Sequence, residues 1–173
     1  MSVLSRGGGD TTILNRGQGY RSEVVFTRPA NTTAYTAGDI IGSATSAIHE
    51  FTQVSSAGGD VVIFAAELMI DLSAVPSGMT SFKLHIYSNT PTAASDNAAF
   101  DLSAAERSLY MGYIDFTTPE DLGSTLFTQT RFVYMQGQLP SNATSLFGEL
   151  QTIGGYTPTS GEGYRIRLRT IEV

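Results

Sequence analysis

The feature that most constrains this chain is the alternation of apolar and polar side chains in short runs. From Tyr164 to Arg169, three large apolar residues alternate with three arginines. From Phe82 to Tyr87 the even positions are apolar, whereas Lys83 and His85 point the other way. Successive side chains of a β-strand point to opposite faces, so this period of two predicts half-buried antiparallel strands. Such strands hide their apolar faces when two sheets stack.

Nine runs of this kind follow one another, separated by turn residues such as Pro29-Ala30-Asn31. The runs are Val24–Phe26, Asp39–Ile41, Ala47–Val54, Val61–Leu72, Ser81–Tyr87, Tyr110–Phe116, Thr125–Gln136, Ser145–Ile153 and Gly163–Val173. The run Val61–Leu72 could also form a buried helix, but its β-branched start and the preceding Gly58-Gly59 favour a strand. We therefore expect eight or nine strands.

This pattern predicts an all-β fold, an antiparallel jelly-roll-like β-sandwich. One short helix is expected near Leu102 to Leu109, because Ser103-Ala104-Ala105-Glu106 matches a capping box. Residues 1–22 are glycine-rich and lack periodicity, so they predict a flexible N-terminal arm, and residues 23–173 predict a single β-sandwich domain. The apolar pair Ile13 and Leu14 within the arm suits a hook onto a neighbouring subunit, with ordinary terminal disorder as the alternative.

Composition excludes several classes of protein. The 173 residues contain no cysteine, which removes disulfides and thiolate metal sites. Ten basic and 16 acidic residues give a net charge of -6, so nucleic acid is not an expected partner. No apolar run approaches the roughly 18 residues of a membrane-spanning helix, so no membrane contact is expected. Charged residues make up only 15% of the chain, which suits a surface that ends up against another protein.

The chain offers little material for a catalytic site. His49 and His85 are its two histidines, and both are interpreted as surface or half-buried strand residues. No Gly-x-Ser-x-Gly motif accompanies them. We therefore expect a protein that is not an enzyme and uses no cofactor.

Two acidic loops are candidate metal sites. Asp96, Asn97 and Asp101 lie in one loop, and Glu120 and Asp121 lie in another. Oxygen-rich loops of this kind bind hard cations such as calcium, but the first lacks the spacing and the glycine of an EF-hand. An Asx turn and a helix start explain that loop more simply, so no metal is expected.

The arginine row Arg165, Arg167 and Arg169 is the most distinctive polar feature. Three guanidinium groups on one face of one strand repel each other unless carboxylates neutralise them. Two readings remain open: an interface with acidic groups of a partner, or a solvated edge strand that is protected from aggregation by its charge.

Several segments resemble a group of small structural proteins of tailed bacteriophages. They are Phe26–Gly42 (FTRPANTTAYTAGDIIG), Ser95–Phe100 (SDNAAF), Tyr110–Phe116 (YMGYIDF), Leu146–Gly148 (LFG) and Tyr156–Glu162 (YTPTSGE). The resemblance runs in order from about Glu23 to the C-terminus. It implies a place in a phage particle and supplies no catalytic residue.

The resemblance and the fold class together suggest a capsid decoration, or cement, protein. Such a protein would be made in the host cytoplasm, bind the major capsid protein on the outer capsid surface, and stabilise the shell across capsomer joints. We expect a homo-oligomer, with a trimer favoured. The alternatives are a carbohydrate- or receptor-binding virion jelly roll, with Tyr134 and Tyr156 as candidate sugar-stacking residues, and a neck or tail structural protein.

Overall fold

The computed structural model describes residues 18–173, which form ten β-strands. The strands are β1 Gly19–Thr27, β2 Ile40–Ile41, β3 Ile48–Phe51, β4 Asp60–Ile70, β5 Phe82–Tyr87, β6 Tyr110–Phe116, β7 Glu120–Asp121, β8 Leu126–Gln138, β9 Leu146–Thr152 and β10 Gly163–Glu172. Within residues 18–173 there is no helix long and apolar enough to cross a membrane.

The strands form two antiparallel sheets, and the chain crosses between them repeatedly. The first sheet has the order β1-β10-β4-β8-β7, and the second has the order β2-β9-β5-β6, with β3 also paired to β9. The first and last strands are therefore neighbours, and most connections cross from one sheet to the other. This is the eight-stranded, double Greek-key arrangement of a jelly roll, supplemented by two short strands. The predicted fold class is confirmed.

The ambiguous run that begins at Val61 is a central strand. β4 pairs with β10 on one side and with β8 on the other. Its inward residues Ile63, Leu68 and Ile70 are fully buried, and they face apolar residues of the second sheet such as Phe82 and Leu84. Burial of each such side chain stabilises the fold by about 1.5–3 kcal/mol. The two apolar faces predicted from the alternation thus form one core.

The short helix expected near Leu102 to Leu109 is not formed. Single turns occupy the segment, with hydrogen bonds from the Glu106 amide to the Ser103 carbonyl and from the Leu109 amide to the Glu106 carbonyl. Half of the capping box is present, because the Ser103 amide donates to the Glu106 carboxylate at 3.0 Å. The helix cannot continue because β6 begins at Tyr110 and draws the backbone into the sheet.

A long connection, residues 88–109, packs over part of the outer side of the second sheet, and we call it the covering loop. The Ile40 amide donates to its Ala98 carbonyl at 2.7 Å, and Phe100 stacks on His85 with ring centroids 3.7 Å apart. His85 is therefore only 4% exposed. His49 is equally buried, against Phe26. The interpretation of the two histidines as surface or half-buried residues was wrong, because the groups that cover them are distant in sequence.

Candidate docking face

The arginine row lies on the outer side of the first sheet, in the middle of that sheet. β10 is paired along its whole length, with β1 on one side and β4 on the other. The edge-strand reading of the row is therefore wrong. β1 begins at Gly19, inside the segment that sequence reasoning assigned to the arm, because its pairing with β10 starts there. Ile13 and Leu14, the other predicted interface residues, lie outside the described residues.

Carboxylates of the same chain neutralise most of the row. Glu23 of β1 and Glu67 of β4 stand directly opposite Arg167 on its two sides. Glu23 bonds Arg167 and pairs with Arg165 at 2.6 Å. Glu67 pairs with Arg169 at 2.9 Å and with Arg167 at 3.4 Å. Arg21, 3.3 Å from Glu23, completes a group that we call the charged ladder.

These contacts keep both glutamates ionised. The hydrogen bond from Arg167 lowers the pKa of Glu23. Partial burial of Glu67 opposes its ionisation, but hydrogen bonds from Arg169 and Arg167 outweigh that effect and lower its pKa as well. The ladder is therefore a set of permanent charges at neutral pH.

Next to the ladder, β8 carries a bulge that exposes two aromatic rings. Ile63 and Ala65 of β4 face Met135 and Arg131 of β8, so three residues of β8 stand opposite one residue of β4. Within this bulge Phe132 and Tyr134 have φ angles of 61° and 51°. Bulky residues rarely adopt this left-handed conformation, which costs of order 1–3 kcal/mol. The two side chains are 74% and 69% exposed.

A cavity of about 410 Å³ joins the bulge to the ladder. It is lined by Phe64, Ala65, Glu67, Gln129, Arg131, Phe132 and Arg169. Arg131 donates to the Gln129 side chain at 3.1 Å and pairs with no carboxylate of the described part of the chain. The ladder together with Arg131 contains five arginines and two glutamates, a local charge of +3 on a chain of net charge -6. We call the ladder, Arg131, Phe132 and Tyr134 the docking face.

Sequence reasoning placed the three arginines on one face but missed Arg131 and Phe132. The alternation of Thr125–Gln136 predicts a regular strand and gives no sign of a bulge. A bulge depends on the register with β4, which is a non-local property.

Of the two candidate sugar-stacking tyrosines, Tyr156 is unsuitable. Tyr156 is 3% exposed, and its hydroxyl lies 2.6 Å from that of Tyr164 inside the sandwich. Burial raises its pKa far above the ordinary value for tyrosine. Tyr134, by contrast, stands open to solvent beside Phe132, with ring centroids 6.2 Å apart.

The acidic loop at Asp96 is part of a buried network. Asp96 accepts hydrogen bonds from the Tyr35 hydroxyl and from the Gly42 amide at 2.9 Å, and it pairs with the fully buried Arg28 at 3.4 Å. It thereby fastens the covering loop to the connection after β1. Within residues 18–173 no three acidic, histidine or cysteine side chains converge in a way that could hold a metal ion.

Comparisons with known proteins assign no family. No family model matches the chain, and no curated protein matches it. Among solved structures, the chain is similar to the capsid of Ralstonia phage GP4 at 15% identity, with 92% of this chain and 86% of that chain covered and a TM-score of 0.40. It is also similar to a decameric BFDV capsid protein at 10% identity, with 91% of this chain and 100% of that chain covered and a TM-score of 0.39. The capsid asymmetric unit of cyanophage Pam1 is similar at 12% identity, with 91% of this chain and 86% of that chain covered and a TM-score of 0.36. These identities and TM-scores are too low to assign a family, a partner or a position in a particle.

Proposed function

We propose that this chain is a non-enzymatic structural protein of a phage particle that binds the outer capsid surface and stabilises the shell across capsomer joints. The observation that carries the proposal is the docking face, on which positive charge and exposed aromatic rings lie together on an open sheet. The sequence resemblance to small tailed-phage structural proteins supports the particle as the place of action.

The docking face has the composition of a protein-binding surface. Aromatic residues and arginine are enriched at interface centres, where a few of them supply most of the binding energy. Phe132 and Tyr134 are held outward by a strained backbone, so their rings are already placed for insertion into apolar pockets. Arg131, beside them, is available for a carboxylate of a partner. The partner surface is therefore acidic with an apolar centre, and we assign it to the major capsid protein.

A cement protein needs no reaction, because its effect is collective. Many equivalent copies each add contact area at a joint, and linked contacts raise the effective affinity well above that of one contact. A trimer, which we include in the proposal, would present three docking faces around one axis.

The experiment measures binding of purified protein to capsids that lack it, by co-sedimentation over a concentration series. Arg131→Glu and Phe132→Ala should each weaken binding by about tenfold or more, since truncation of an interface anchor commonly costs 2 kcal/mol or above. Arg107→Glu, an equivalent charge reversal at an exposed position of the covering loop, is the matched control and should bind as the wild type does. Wild-type affinity of both docking-face variants would refute the assignment of this face.

Carbohydrate binding is a second candidate, favoured by the exposed Tyr134 ring next to Phe132. Sugar rings stack on exposed aromatic faces, and Arg131 and Gln129 supply nearby polar groups. A glycan array separates the two functions. Binding of one glycan class that Tyr134→Ala abolishes would support the sugar site, and a blank array would leave the protein-docking proposal in place.

A further inference from the structure

A second cavity, of about 310 Å³, lies between the covering loop and the second sheet, on the other side of the sandwich from the docking face. Its lining combines small apolar residues with carboxylates. The lining residues are Ile40, Thr92, Ala93, Ala94, Ser95, Ala98, Ala99, Asp101, Ser103, Glu106 and Glu149. Several of them, among them Thr92, Ala93 and Ala99, are exposed, so the cavity opens to solvent.

Glu149 is a buried carboxylate, and only one of its two oxygens accepts a hydrogen bond from the described residues. It is only 4% exposed, and its Oε2 accepts a hydrogen bond from the Tyr87 hydroxyl at 2.7 Å. Its Oε1 accepts no hydrogen bond from any residue between 18 and 173, and it is not one of the buried side-chain oxygens that lack a partner, so this oxygen is accessible from the cavity. Burial raises the pKa of Glu149, and the nearby charge of Glu106 raises it further. A carboxylate in this position is stabilised when a cationic donor reaches the free oxygen.

Glu106 adds a second negative charge to the same cavity. It is 6% exposed, and its two oxygens accept hydrogen bonds from the Thr92 amide at 2.6 Å and the Ser103 amide at 3.0 Å. Backbone donors of this kind stabilise the ionised form of a carboxylate. Asp101 lies at the same cavity, and no lysine or arginine is among the lining residues. The cavity is therefore negative and has no neutralising group of its own.

The shape of the lining selects the kind of cation. The carboxylates do not converge as a metal site within the described part of the chain, so a bare ion finds too few ligands here. The alanines and Ile40 offer an apolar wall, which suits the methylene stem of a long basic side chain. Arginine is favoured over lysine because its planar fork can contact more than one carboxylate oxygen and is more weakly hydrated.

We propose that this cavity binds an arginine side chain of a partner protein, with its guanidinium group at Glu149 and Glu106 and its stem along the alanines. The proposal rests on charge complementarity and on the free oxygen of Glu149. It does not depend on the docking face or on the particle in which the protein works.

The test uses N-acetyl-arginine amide as the probe and N-acetyl-citrulline amide as its neutral isostere, with binding followed by NMR shifts of backbone amides. At neutral pH the arginine probe should give saturable shifts at Ala98 and Glu149 with a millimolar dissociation constant, and the citrulline probe should give none. Glu149→Gln keeps an acceptor for Tyr87 but removes the charge, and it should weaken binding by about tenfold or more. Glu50→Gln, at an exposed position of β3, is the matched control and should bind normally.

A second variant protects the test against a folding defect. Ala98→Leu fills the cavity and leaves both carboxylates in place, so it should also abolish the saturable shifts. Absence of shifts in the wild-type protein, equal binding of arginine and citrulline, or unchanged binding by a folded Glu149→Gln would overturn the proposal. Calcium chloride that saturates the same amides where the arginine probe does not would overturn it as well, in favour of a metal site.

Discussion

Replacing Arg167 with glutamate tests whether the arginine row is held in place by carboxylates of its own chain. Arg167 lies on the central strand of the ladder, with Glu23 opposite on one side and Glu67 on the other, and its side chain is only 20% exposed. Arg167→Glu would therefore align three carboxylates across three neighbouring strands.

The expected loss of stability has two parts. Two partly exposed ion pairs disappear, each worth up to about 1 kcal/mol. Two like-charge pairs at directly opposite cross-strand positions replace them, and each destabilises by a similar amount. The four contributions together come to at most about 4 kcal/mol, which corresponds to a fall in Tm of at most about 15 °C for a chain of this size.

Thermal unfolding followed by circular dichroism, at low and at high salt, measures this effect. Arg167→Gln loses the ion pairs but adds no like-charge pairs, so its Tm should fall by about half as much. The exposed Arg107→Glu should leave Tm unchanged. High salt should reduce the deficit of Arg167→Glu. A free energy of unfolding within about 0.5 kcal/mol of the wild-type value would refute the reasoning. The arginine row would then be better explained as an interface with acidic groups of a partner. A destabilised Arg167→Glu also cannot serve as a clean probe of binding, which is why the docking test uses Arg131.

Three further results are expected. Asp96→Asn retains an acceptor for its neighbours but leaves the buried Arg28 without an anion. The substitution should therefore lower the free energy of unfolding, measured by urea titration, by about 2–4 kcal/mol. A loss below about 1 kcal/mol would contradict this prediction. Burial lowers the pKa of His49 to about 4. As pH drops from about 6.5 to about 4, this histidine therefore binds a proton in the unfolded chain but not in the folded one, and the free energy of unfolding should fall by up to about 3 kcal/mol. A His49→Gln variant should lose that part of the pH dependence, and an unchanged profile would count against it. Phe132→Asn should raise stability by about 1 kcal/mol, because asparagine tolerates positive φ, and under the proposed function it should also weaken capsid binding. A lower Tm would argue against backbone strain at this position.

The strands could be predicted because alternation is a local property. The run Tyr110–Phe116 has the same bounds in sequence and structure, and Gly163–Val173 differs by one residue. The strand order could not be predicted, because it depends on pairings such as Val24 with Ile166 that join opposite ends of the chain. The helix was predicted from a capping pattern of which only one of the two hydrogen bonds forms, and the following strand leaves the helix no room to extend.

The candidate site could likewise be predicted only where it depends on local sequence. A period of two places Arg165, Arg167 and Arg169 on one face, so their common orientation follows from sequence alone. Their carboxylate partners, Glu23 and Glu67, follow only from the register of three strands. For the same reason, the burial of the histidines and the bulge in β8 could not be predicted from the sequence, because each depends on a segment that is distant along the chain.

The two outer sides of the sandwich differ in a way that bears on function. Over the second sheet, the covering loop encloses a negative cavity with a free carboxylate oxygen. Over the first sheet, a positively charged ladder stands beside strained and exposed aromatic rings. Because these surfaces face opposite directions and have opposite charge, a partner that fits one does not fit the other. A chain that uses both therefore contacts two different surfaces at once, and two linked contacts hold neighbouring molecules together more tightly than either contact alone.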